Sequence, residues 1–154
     1  MGQGIITSVK EPEQCSEIVK QVLADLPEWF GLPESTASYI EEAATIPLWQ
    51  ARVDGELAGF IDLNCTAVRS AEVSCMGVMK KFHRQGFGTA LMHVLENEAK
   101  QHYDFLQVKT VDEGHYPEYD QTIKFYERMG FERLEVFPTL WDLWNPCLIL
   151  IKKL

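Results

Sequence analysis

One feature constrains this chain more than any other: a strand that feeds a glycine loop which opens directly into a helix. Ala71 to Met79 reads as a strand, and Lys80 to Gly88 follows as a polar loop carrying Gly86 and Gly88. From Thr89 to about Gln101, Leu91, Met92, Leu95 and Ala99 recur at helical spacing and predict one buried stripe. The first turn of such a helix has N–H groups without internal partners and carries partial positive charge, so it attracts an anion. Glycine lets the backbone come close to that anion. Lys80, Lys81, His83 and Arg84 add positive potential in a chain where 23 Asp+Glu outnumber 14 Lys+Arg. The plainer alternative is a glycine turn at the start of an ordinary helix.

The flanking segments supply the rest of the architecture. Gly4 to Lys10 reads as a strand, Ile18, Val22, Leu23 and Leu26 as one helix face, and Tyr39, Ile40, Ala43 and Ala44 as another, with Ser35 or Thr36 as cap. Leu48 to Val53 and Glu56 to Cys65 form a predicted hairpin, because Asp54-Gly55 between apolar runs favours a tight reversal. Phe105 to Val111 suits a buried strand, and Asp120 to Met129 a helix stopped by Gly130. Strands near Phe131 to Phe137 and Cys147 to Lys152 close the chain, with an aromatic loop from Pro138 to Pro146 between them. The order β-α-α-β-β-β-α-β-α-β-β predicts an α/β sandwich: a mixed, mostly antiparallel sheet of about seven strands flanked by about four helices. At 154 residues, one domain spanning 1–154 is expected.

Composition removes several classes of function. A net charge of −9 argues against nonspecific nucleic-acid binding, which needs basic side chains, and is compatible with a cationic amine substrate. Leu148 to Ile151 is far short of the ~20 apolar residues that span a bilayer. The N-terminus lacks signal-peptide order, and after Met1-Gly2 the residue Ile6 stands where myristoylation wants Ser or Thr. A cytoplasmic protein is expected. Cys15, Cys65, Cys75 and Cys147 form no C-x-x-C pair, so no metal is expected, and Cys65 and Cys75 read as small buried hydrophobes. His93 and His102 read as structural. The loop has no Gly-Lys-Ser/Thr, and Leu91 stands where a dinucleotide fingerprint needs its third small residue. Nucleotide-driven ligases and hydride-transfer enzymes are thereby set aside.

His83-Arg84-Gln85-Gly86-Phe87-Gly88 resembles the Arg/Gln-x-x-Gly-x-Gly/Ala motif of the GNAT superfamily of N-acetyltransferases, with His83 in place of the usual Arg or Gln. Thr122-Ile123-Lys124-Phe125-Tyr126 through Gly130-Phe131 resembles the superfamily's Ala-x-x-Phe-Tyr-x-x-x-Gly-Phe pattern. Leu26 to Gly31, Phe137 to Asp142 and Asn145 to Cys147 resemble a bacterial branch of it. The resemblance implies acetyl-CoA as acyl donor, with its pantetheine arm along Gly77 and Val78. It also implies a pyrophosphate at His83, Arg84 and the N–H groups of Gln85, Gly86, Phe87, Gly88 and Thr89. Tyr126 becomes the expected general acid for the departing thiolate. Glu72, eleven residues before His83, matches the catalytic glutamate of the histone-acetylating branch and is the expected base, with a water relay as the alternative.

The acceptor is then expected to be a primary amine on a small molecule or peptide. Candidate contacts are Glu34, Glu41 and Glu42, with Trp141, Asp142 and Trp144 from the aromatic loop, since carboxylates and aromatic walls suit a cation. The two tryptophans equally suit a sheet edge or a homodimer partner. His115, Tyr116 and Tyr119 form a further polar-aromatic rim. The alternative to an enzyme is a noncatalytic acyl-CoA-binding module.

Overall fold

The computed structural model describes residues 4–154, so the Met1-Gly2 start lies outside the described residues. Seven strands form one mixed sheet in the order β1-β2-β3-β4-β5-β7-β6: β1 Gly4–Val9, β2 Leu48–Val53, β3 Glu56–Ala67, β4 Ser70–Val78, β5 Phe105–Val111, β6 Glu132–Asp142 and β7 Asn145–Lys153. Four helices accompany them: α1 Pro12–Ala24, α2 Pro33–Ala43, α3 Phe87–Ala99 and α4 Pro117–Arg128. Backbone contacts divide the chain into two compact units, residues 4–64 with 73–101 and residues 65–72 with 102–154.

In the first unit, β1, β2 and β3 run antiparallel, with Gly4 opposite Val53 and Leu48 opposite Asp62. Asp54 and Gly55 both have positive φ, 50° and 83°, as a two-residue hairpin turn requires. α1 buries Ile18, Val19, Val22 and Leu23 against Leu48, Phe60 and Cys75. α2 is tied to α1 by Ser16 Oγ, which donates to the Ile40 carbonyl at 2.8 Å. Proline at the first position starts both helices, and neither has a side-chain cap, so the expected Ser35 or Thr36 cap gives way to Leu32-Pro33. α3 buries the predicted stripe of Leu91, Met92, Leu95 and Ala99 completely, each large side chain worth about 1.5–3 kcal/mol. At Gly59 any Cβ would lie 2.6 Å from the Gly77 carbonyl oxygen, so glycine is what lets β3 pass close to β4.

The second unit is built on β5. Ser70, Ala71 and Glu72 pair with it in parallel, opposite Phe105, Leu106 and Gln107. β7 pairs with it antiparallel from Phe105↔Lys153 to Val111↔Cys147, and β6 completes the edge. Gly130, at φ 94°, closes α4 as expected, and Lys152 Nζ donates to the Met129 carbonyl just before it at 2.6 Å. Thr110 is buried in β5 with no hydrogen-bond partner for its hydroxyl among the described residues.

Three further expectations are corrected. Pro138 to Pro146 is a strand hairpin: β6 continues to Asp142, β7 begins at Asn145, and only Leu143-Trp144 turn between them. Proline normally interrupts a ladder, but β6 is the outermost strand, and the pairing shifts between Phe137 and Asp142 to accommodate it. α4 begins at Pro117 rather than Asp120, because proline suits the first helical position. Cys65 is exposed, not buried: it lies where β3 runs beyond its buried stretch, Leu57 to Leu63.

Candidate active site

β4 ends at Val78, and a single 3-10 turn, Lys80–Phe82, carries the chain to α3. Much of this loop is held by side chains from elsewhere in the first unit. The Lys80 N–H donates to Asp25 Oδ2 at 2.7 Å, the Lys80 ammonium pairs with Glu28, and Lys81 Nζ reaches Glu56 at 2.8 Å. The Lys80 ammonium in turn holds the Glu28 carboxyl below its usual range. Phe82 is buried and packs edge-on against Phe87 at 5.8 Å.

His83 fills the first motif position in its own way. Its Nε2 lies 2.6 Å from the Val78 carbonyl oxygen, and a carbonyl only accepts, so Nε2 must carry the proton. Trp29 packs edge-on against the ring at 6.0 Å. The imidazole therefore staples the loop to the end of β4. Of the four basic side chains, only Arg84 has no ion-pair or hydrogen-bond partner among the described residues.

α3 starts without a side-chain cap. Its N-cap is Gly86 in the left-handed conformation, φ 84°, and Arg84 also has positive φ, 62°. The first closing bond of the helix runs from the Ala90 N–H to the Gly86 carbonyl at 3.0 Å. The amides of Phe87, Gly88 and Thr89 thus lack intrahelical acceptors, the arrangement that receives a phosphate. Arg84, Gln85, Gly86 and Phe87 face a hollow of about 430 Å³ whose remaining walls are Gly4, Ile6 and Ala90.

In the second unit, Tyr126 on α4 is buried at 7% exposure, its ring against Phe125 at 5.6 Å and Phe131 at 5.7 Å. Glu72 is also largely covered, its side chain 12% exposed. Lys109 Nζ lies 3.1 Å from its carboxylate and Gln107 Nε2 donates to it at 3.2 Å. Beside this pair, burial pushes the Cys147 thiol up to about 11, with Lys109 opposing and Glu72 adding to the rise. Trp141 and Trp144 sit at the tip of the β6–β7 hairpin, 44% and 81% exposed, where the Trp144 N–H donates to Asp142 Oδ1 at 2.9 Å.

Glu34 is exposed in the first turn of α2, and Glu41 is exposed near its end. Glu42 is different. It is part-buried, and Ser74 Oγ on β4 donates to its carboxylate. No local pattern could have revealed that contact, because 32 residues separate the partners. Among the described residues no three His, Cys, Asp or Glu side chains group as a metal site, and no helix is long and apolar enough to cross a membrane.

A mixed seven-stranded sheet with a helix that starts uncapped on a left-handed glycine is the fold of an acetyltransferase. The chain belongs to the GNAT acetyltransferase family: the acetyltransferase (GNAT) domain profile matches residues 45–133, more than half of its length. No curated protein matches the sequence. Among solved structures, a GNAT-family protein from Desulfovibrio desulfuricans superposes with TM-score 0.83 at 18% identity, covering 98% of this chain and 99% of that one. An aminoglycoside 6′-N-acetyltransferase complexed with coenzyme A superposes at TM-score 0.75 and 20% identity, over 97% and 96%. The ribosomal-protein-S18-alanine N-acetyltransferase of Escherichia coli does so at 0.73 and 18%, over 98% and 94%. At such identities these likenesses speak to the fold.

Proposed function

We propose that this protein transfers the acetyl group of acetyl-CoA to a primary amine of a small molecule or peptide, by direct attack of the amine on the thioester. The whole chain works as one catalytic domain in the cytoplasm, where its four free cysteines stay reduced. The observation that carries the reading is the uncapped start of α3, with its left-handed Gly86 and the unpaired Arg84 beside it. The pyrophosphate is received by the N–H groups of Gln85 to Thr89, with the pantetheine arm along Gly77 and Val78. Two of the three neighbours act, by their names, on an aminoglycoside and on a ribosomal protein's alanine, which supports an amine acceptor of either size.

Chemistry sets two further roles. A lysine-like amine of pKa roughly 10.4 must lose its proton before attack, costing roughly 4.6 kcal/mol at pH 7. Glu72 takes that proton, directly or through water. The amine nitrogen then bonds to the acyl carbon, the tetrahedral intermediate collapses, and the carbon–sulfur bond breaks with its electron pair on sulfur. Tyr126 donates its phenolic proton to that thiolate.

Thiol release from acetyl-CoA, measured over a panel of amines beside direct calorimetry with acetyl-CoA, tests the reading. Turnover with at least one amine is expected; tight binding with no turnover would favour a noncatalytic acyl-CoA sensor. In Glu72→Gln the acidic limb of the kcat/KM pH profile should disappear as the rate falls about 100-fold. An unchanged limb would remove Glu72 as base.

A further inference from the structure

β4 carries Glu72, and two carboxylates from other elements reach it: buried Asp62, which accepts from the Cys75 N–H at 2.9 Å, and Glu42. The charge of Glu72 is already met by the ammonium of Lys109 at 3.1 Å, with Gln107 as a second donor. Glu42, near the C-terminal end of α2, has only a neutral partner, the Ser74 hydroxyl. Among the described residues no cation pairs with it. Nor is it a solvated surface group like Glu34 and Glu41, because it is part-buried. The structure thus gives this carboxylate a hydroxyl partner and, among the described residues, no counter-ion. Its complement is a cation from outside.

Position adds to this. Ser74 is three residues before Gly77, about 10 Å along an extended strand at roughly 3.3 Å per residue. With the thioester arm along Gly77 and Val78, as proposed above, the Glu42 carboxylate held at Ser74 lies within reach of an acceptor while remaining clear of Gly77 itself. With Glu72 given the reacting amine's proton, a carboxylate farther along the strand is left for a different partner. At some distance it can hold a second ammonium and leave the reacting amine to lose its proton.

We propose that Glu42, positioned by Ser74, is a specificity determinant that binds a second, non-reacting cationic group of the acceptor, making diamines and related polycationic amines the substrate class. The inference rests on the acetyltransferase reading given above. The net charge of −9 acts in the same direction, drawing a dication more strongly than a monocation.

Cadaverine and pentylamine have equal carbon chains and differ in the second amine, so they isolate the effect. Wild-type protein should show the higher kcat/KM with cadaverine. Glu42→Gln retains an oxygen for Ser74 and removes the charge; it should lower kcat/KM for cadaverine about 10- to 100-fold more than for pentylamine, mainly through KM. Ser74→Ala, which frees the carboxylate without neutralising it, should shift the ratio the same way by less. An equal loss on both amines, or a fall in melting temperature and acetyl-CoA affinity accounting for the loss, would make the contact a structural clamp and overturn the proposal. So would wild-type turnover without a preference for cadaverine, which leaves the transferase reading standing. Absence of turnover with any amine would sink both.

Discussion

Tyr126→Phe should lower kcat at saturating acetyl-CoA by about 100-fold or more, while the dissociation constant for acetyl-CoA stays within about twofold of wild type. The asymmetry follows from what the substitution keeps. Tyr126 is only 7% exposed, and its ring is wedged between Phe125 and Phe131, so phenylalanine preserves the aromatic packing of α4 and removes one oxygen. That oxygen matters when the thiolate leaves. A cysteine-like thiol ionises at roughly 8.5 and a phenol at roughly 10, so the proton moves uphill by about 1.5 units, roughly 2 kcal/mol. A positioned donor can supply that, whereas bulk water at neutral pH is a far poorer acid. Loss of the basic limb of the kcat pH profile should accompany the fall. Full kcat in the variant would remove Tyr126 from the chemistry. A parallel loss of acetyl-CoA affinity would instead reveal a packing role.

The features legible in the sequence are those with short-range causes. The α3 stripe could be found because helical spacing alone brings Leu91, Met92, Leu95 and Ala99 to one side, and all four are fully buried. Asp54-Gly55 and Gly130 were readable because positive φ strongly selects residue type, and these positions have it. The β6–β7 hairpin was not readable in the same way. Pro138 is a stop signal unless the strand lies at an edge, and strand order is a property of the folded sheet. Cys65 was misread for a related reason: apolar neighbours in sequence do not reveal where β3 leaves its cover.

The candidate site divides along the same line. Motif spacing pointed to the loop and to Tyr126. It could not tell which of the loop's basic side chains were already engaged. Lys80 and Lys81 are paired with Glu28 and Glu56, and His83 is occupied with the Val78 carbonyl. Those partners come from distant segments, so only the fold separates Arg84 from its neighbours. Glu42 is the clearest case. In the sequence it is one half of a Glu-Glu pair on a helix, and in the structure it differs sharply from Glu41 because Ser74 has claimed it.

Replacing Gly86 with valine should weaken CoA binding by about 100-fold while leaving the fold and its melting temperature largely intact. Crowding cannot be the cause, since a Cβ built at Gly86 meets nothing within 4 Å. Backbone conformation is. At φ 84° a β-branched residue is strained by about 1–3 kcal/mol, and the cheapest relief is for the loop to rotate away from the left-handed region. That rotation turns the first amides of α3 off the diphosphate. Losing two charge-assisted hydrogen bonds at roughly 1.5 kcal/mol each is enough for the predicted factor. Gly86→Ala should fall between valine and wild type, and Gly86→Asn should lie nearest wild type because asparagine tolerates left-handed backbone. The order Val, Ala, Asn, read by calorimetry with CoA, separates conformation from side-chain volume: asparagine is larger than alanine, so a steric cause would reverse the last two. Equal affinity in all three variants would mean that the start of α3 does not hold the cofactor.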